Sequence, residues 1–159
     1  NQASEAKLKQ VNWQKYRYLH LGVPLLLNSR YPQFSGFALS GAQNGAGLLS
    51  LSKFAAMQPK AEMVVLPFLA AQETALPAYT GNELFTLQYS FMQNGIPAAL
   101  MALWQLPAKD ANRFVAAFYR KLSEGKSKTD ALQATQQEFI QAAETEQPFY
   151  WGGFVLYGQ

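Results

Sequence analysis

Only one side chain in the sequence has an unperturbed pKa near neutrality, and that is His20. As a general base it would need a nucleophile within hydrogen-bond reach and a third group to orient it. No cysteine occurs anywhere, so a thiolate nucleophile, a disulfide and a thiolate metal site are all excluded. The hydroxyl candidates are Ser29, Ser35, Ser40, Ser50, Ser52 and Thr74. None sits in a Gly-x-Ser-x-Gly elbow, and their settings read as turns and helix caps. The glycine-rich run Gly41–Gly47 lacks a following Lys-Ser/Thr pair and reads as a surface turn, not a phosphate loop. His20 has no further ligand at metal-binding spacing, so neither a metal nor a cofactor is expected. Its place between Leu19 and Leu21 predicts a buried, hydrogen-bonded imidazole.

The elements that must position these groups alternate. Tyr16–Leu21, Phe34–Leu39, Glu62–Phe68, Pro97–Trp104 and Gly153–Leu156 read as strands of a central sheet, the last within a run from Tyr150 to Tyr157. Met63–Phe68 and Pro97–Trp104 are continuous apolar runs, the pattern of strands covered on both faces. A short helix is expected after Ser4, and a short helix or turn over 48–57. Asn82–Gln93 repeats apolar residues at helical spacing through Leu84, Leu87 and Phe91, and stops at Asn94–Gly95. Lys109–Glu124 presents Phe114, Ala117, Phe118 and Leu122 on one face and ends at Gly125, and a further helix over 127–143 enters through Ser127 or Thr129. The C-terminal aromatics Phe149, Tyr150, Trp151, Phe154 and Tyr157 read as core strand residues, and Trp104 as the end of a strand bordering a cleft. Buried strands interleaved with helices predict an α/β fold with a mostly parallel central sheet and helices on both faces. Ligands of such sheets bind beyond the carboxyl ends of the strands, which places the site on the loops after Leu21 and after Phe68.

Composition bounds the rest. A chain of 159 residues with 49% apolar and 14% aromatic residues can bury a full core in one domain over 1–159. Charged residues are 14%, well below the usual quarter, which suggests that part of the surface is covered by a partner. The net charge of +3 is spread along the chain, reads as solvated helix faces, and does not point to nucleic acid. No run is long enough to span a membrane, the first residues lack the apolar stretch of a signal peptide, and a cytoplasmic location is expected.

Four segments carry a resemblance. They are Tyr16–Leu39 (YRYLHLGVPLLLNSRYPQFSGFAL), Tyr79–Pro107 (YTGNELFTLQYSFMQNGIPAALMALWQLP), Phe118–Gln137 (FYRKLSEGKSKTDALQATQQ) and Pro148–Gly158 (PFYWGGFVLYG). Together they resemble the CHAT family, which has a caspase-like three-layer fold, cuts peptides with a His and a Cys, and is often fused to tetratricopeptide repeats. The resemblance covers nearly the whole chain and matches the C-terminal, peptidase-like portion of the family domain, without its N-terminal part. It places His20 on the family's first, non-catalytic histidine. Pro24 takes the position of the catalytic histidine, and Leu25 that of the glycine whose amide helps bind the oxyanion. Where the family reads Ala-Cys-Glu-Thr, this chain reads Ala71-Gln72-Glu73-Thr74 after a few extra residues. Gln72, or Leu69 under the other placement of the gap, replaces the cysteine. Proline cannot exchange a proton and an amide cannot attack a carbonyl. The resemblance therefore implies a pseudo-peptidase that binds a protein or peptide partner, including fused repeats, beside Gly22, Val23, Pro24, Leu25, Gln72 and Glu73. The alternative is a hydrolase with a Ser or Thr nucleophile and His20. The cleft is expected either to accept an extended segment or to be plugged by Leu25, Pro67 and the extra residues. A plugged cleft would leave the helices over 109–124 and 127–143 as docking surface.

Overall fold

A computed structural model describes residues 3–28, 31, 34–40, 47–68 and 82–158, without the side chains of 82–84 and 86. Among them a four-stranded sheet forms the centre, in the order β1 (Tyr18–His20), β5 (Met63–Leu66), β6 (Ala98–Ala102), β7 (Phe154–Gly158). β1 pairs parallel with β5, β5 parallel with β6, and β6 antiparallel with β7. The mostly parallel sheet is thus present, with its last strand reversed.

Alternation along the buried strands sorts the core into two halves. Leu19, Val64, Leu66, Ala99 and Met101 face one side, where they meet Trp13, Phe54, Leu87 and Phe91. Met63, Val65, Ala98, Leu100 and Ala102 face the other and meet Phe114, Phe118 and Phe139. The first side is covered by α1 (Glu5–Leu8), α2 (Leu51–Ala56) and α3 (Asn82–Gln93). The second is covered by α4 (Ala108–Ser123), α5 (Lys128–Gln141) and α6 (Pro148–Trp151). Side chains with period two on β5 and β6 and apolar residues on both faces make this three-layer stacking the only arrangement that buries both sets.

Helix ends follow local chemistry. α3 stops where Gly95 takes φ +79°, and the Ile96 amide donates back to the Phe91 carbonyl at 3.0 Å. Ser127 caps α5, its hydroxyl accepting from the Asp130 amide at 3.1 Å. α1 does begin after Ser4, but the Ser4 hydroxyl makes no cap hydrogen bond.

Three sequence expectations are corrected. Phe34–Leu39 is not in the central sheet: its strand, β3 (Gly36–Ala38), lies between β2 (Leu25–Leu26) and β4 (Leu48–Ser50) in a small antiparallel sheet on the Trp13 side. Gly36 is required there because a Cβ would meet the Leu49 carbonyl of the neighbouring strand. The stretch 48–57 combines strand β4 with α2. The C-terminal run is a strand only from Phe154; Pro148 at the first helical position turns 148–151 into α6, and Phe149 is 46% exposed rather than core. The turn over 41–46, the residues Ser29 and Thr74, and the segment 69–81 lie outside the described residues.

Candidate functional site

The site is built on the loop Leu21–Pro24 at the carboxyl end of β1 and the loop that leaves β5 through Pro67 and Phe68. Strand pairing brings them together: the Leu21 amide donates to the Val65 carbonyl at 3.0 Å, continuing the β1–β5 ladder past its end. The chain then turns at Gly22–Val23 and enters β2 at Leu25. There the Leu25 amide donates to the Phe68 carbonyl at 3.0 Å, and the Pro24 carbonyl accepts from the Ala38 amide at 2.9 Å. The loop after β1 is therefore fastened on one side to the loop after β5 and on the other to the small sheet.

Each predicted residue has a definite place in this frame. Gly22 and Pro24 are exposed and Val23 is half-buried. The Leu25 side chain is 2% exposed and packs in the Trp13-side core, so it does not occupy the cleft. Pro67 is also buried. Among the described residues, the amides of Gly22 and Val23 have no hydrogen-bond acceptor. Gln72, Glu73 and Leu69 lie outside the described residues. A pocket of about 470 Å³ opens beside Gly22 and Val23, walled by Leu21, Trp13, Phe37 and Leu39 and bordered by His20. Its walls are mostly apolar, with His20 and Ser40 among the lining residues, the character of a surface that takes up an apolar side chain.

His20 is not the buried imidazole expected from its neighbours. Leu19 takes the core position, which turns His20 to the opposite side of an edge strand, where it is exposed. Its Nδ1 lies 3.5 Å from the Tyr119 hydroxyl of α4, with the rings 6.0 Å apart. Partial desolvation against α4 holds the imidazole pKa below its ordinary value, so His20 is neutral near pH 7. Burial, with the nearby Tyr18 hydroxyl adding to it, pushes the Tyr119 phenol up to about 12. Sequence reasoning missed Tyr119 because 99 residues separate it from His20.

The hydroxyls near the site are engaged in local structure. Ser35 is buried and its Oγ accepts from the Asn28 amide at 3.0 Å. The Ser40 hydroxyl donates to the Ala3 carbonyl. Ser50 caps α2, accepting from the Lys53 amide at 3.3 Å and pairing with Ser52 at 2.9 Å. Trp104, just beyond β6, donates from Nε1 to the Phe149 carbonyl at 2.9 Å and stacks on the Phe149 ring. It leans on Gly153, where an added Cβ would come within 2.6 Å of the indole.

The CHAT domain family model matches residues 1–159, the whole chain. The chain belongs to the CHAT domain family. Among curated relatives of this CHAT domain, Tetratricopeptide repeat protein 28 of Mus musculus is 30% identical over 95 residues, and that of Homo sapiens 26% identical over 95 residues. Each match covers 60% of this chain and 4% of the relative, so the CHAT domain corresponds to a small part of those proteins. The mostly parallel sheet with helices on both faces agrees with the caspase-like fold of the family. No described helix is long and apolar enough to cross a membrane.

Proposed function

We propose that this CHAT domain does not cleave peptides and serves as a protein-binding module within a longer, repeat-containing polypeptide. The observation that carries the reading is the 3.0 Å hydrogen bond from the Leu25 amide to the Phe68 carbonyl. By the resemblance, that amide takes the place of the family's oxyanion donor, and a donor already satisfied by a protein carbonyl gives nothing to a developing charge. Pro24 stands beside it in the place of the base, and the sequence has no cysteine to take the place of the nucleophile. Gln72 fits that last position as the replacement, with Glu73 after it.

The ligand that fits the remaining geometry is an extended peptide. The amides of Gly22 and Val23, without an acceptor among the described residues, offer backbone hydrogen bonds, and the adjacent mostly apolar pocket suits one aliphatic or aromatic side chain. The names of the relatives support carriage beside tetratricopeptide repeats.

A second reading, a hydrolase with a Ser or Thr nucleophile and His20 as base, draws on one observation: His20 is exposed and neutral at the pocket edge. One experiment separates the two. The purified chain is incubated with a diverse peptide library, and products are read by mass spectrometry alongside His20→Ala. The pseudo-peptidase gives no specific cleavage; turnover that disappears in His20→Ala establishes the hydrolase.

A further inference from the structure

The outward faces of the long helices differ in kind. On α4 and α5 the exposed positions carry charges that pair with one another, Arg120 with Glu138 at 2.7 Å and Arg113 with Glu144, just beyond α5, at 2.8 Å. These are charge-bearing faces with paired ions. α3 has no such pattern. From Leu84 to Ala108 the sequence holds no charged residue at all. Leu87 and Phe91 turn inward, while Phe85, Tyr89 and Met92 point out at 67%, 55% and 54% exposure. Their spacing of four and then three residues sets them in one stripe. Gln88 and Gln93 flank it, Gln93 donating to the Tyr89 hydroxyl at 2.6 Å. Aromatic residues and Met enriched, charge depleted: that is the composition of an interface core.

The size of the stripe bears on its occupant. Large side chains bury about 150–250 Å² each when fully covered, so three that are just over half exposed offer about 300 Å². A stable complex between separate molecules needs about 800 Å² from each partner. A second copy would not be held by this face alone. A segment of the same polypeptide would be, because tethering supplies an effective concentration in the millimolar range in place of area. The stripe runs about 10 Å along the helix, about two turns, a ridge that fits the groove of another amphipathic helix.

We propose that the Phe85–Tyr89–Met92 face of α3 packs against a helix of the repeat portion of the longer polypeptide. This rests on the reading above that the domain is carried beside helical repeats. The docking helix presents an uncharged apolar stripe of its own, since a charge set against this face would be desolvated without a partner.

The test uses the full-length protein with the photo-crosslinking residue p-benzoylphenylalanine at Tyr89, or in a second variant at Phe85, and at exposed Ala116 on α4 as control. Both stripe positions are surface sites where an aromatic replacement leaves the core intact. Irradiation and peptide mapping are expected to give intramolecular links from 89 and 85 to a helical repeat outside residues 1–159, and none above background from 116. Links to residues 69–81, links between the same faces of two copies, or yields equal to the control overturn the proposal. A full-length sequence without helical repeats removes the reading on which it rests, and the proposal with it. Peptide turnover by the same preparation would overturn the pseudo-peptidase reading and leave the docking result standing.

Discussion

The Leu25 amide and the Phe68 carbonyl join the loops that follow β1 and β5 at the carboxyl end of the sheet, the two loops on which the proposed function turns. At 3.0 Å the bond is an ordinary backbone hydrogen bond, and it ties the loop after β1 to the loop after β5. The Leu25 side chain completes the fastening from below, buried among Trp13, Phe37 and Leu49. Leu25→Ala is therefore expected to destabilise the chain by about 2–5 kcal/mol, measured by urea unfolding, without creating peptide cleavage. A loss under about 0.5 kcal/mol would place Leu25 at the surface.

The inward face of α4 and the outward face of α3 predict opposite outcomes for aromatic substitutions. Phe118 is fully buried against the sheet, and Phe118→Ala should cost about 3–5 kcal/mol. Phe85 is 67% exposed, and Phe85→Ser in the isolated chain should change stability by no more than about 0.5 kcal/mol. Thermal unfolding of both variants checks the assignment of faces on α4 and α3.

Much of this arrangement is written in local pattern. Apolar residues on both faces identify Met63–Leu66 and Ala98–Ala102 as central strands, and Asn94–Gly95 marks the end of α3 in the sequence itself. What pattern does not encode is the partner. Phe34–Leu39 has the signature of a strand and holds one over Gly36–Ala38, but its register with Leu48–Ser50 rather than with β1 depends on the close approach of Gly36 to the Leu49 carbonyl across the small sheet. The same holds for the site. The resemblance singles out Pro24 and Leu25 from sequence, whereas the Leu25–Phe68 bond and the approach of Tyr119 to His20 arise only when distant segments meet. Helical spacing marks Leu87 and Phe91 as the inward face of α3, whereas the exposure of Phe85, Tyr89 and Met92 emerges only from the packed structure.

His20 makes stability depend on pH in a definite direction. Its folded pKa lies below the unfolded value of about 6.5, so the unfolded chain binds the proton more readily. The contribution is fully present above that value and is lost as pH falls through the folded pKa. Glu5 and Glu138, held low by hydrogen bonds to Lys53 and Arg120, lose their contributions only in the carboxylate range below about 4.5. Urea midpoints between pH 7 and pH 5 should fall in the wild type and flatten in His20→Gln. An unchanged slope in the variant would move the effect to another group.

Gly153 is expected to be intolerant of any side chain. A Cβ there would meet the Trp104 ring at 2.6 Å, so Gly153→Ala must displace the indole from its stack on Phe149. A shift in tryptophan fluorescence together with a loss of about 1–3 kcal/mol is the predicted outcome, the range seen for overpacking. Fluorescence and stability like those of the wild type would show that the indole moves freely.

The account turns on whether this fold still performs chemistry. The most direct measurement is mass-spectrometric profiling of a diverse peptide library incubated with the purified chain, its His20→Ala variant and buffer alone. The predicted result is three indistinguishable profiles, unchanged by thiol alkylation. A set of cleavages present with the wild-type chain, sharing a sequence preference and absent from both controls, would contradict it.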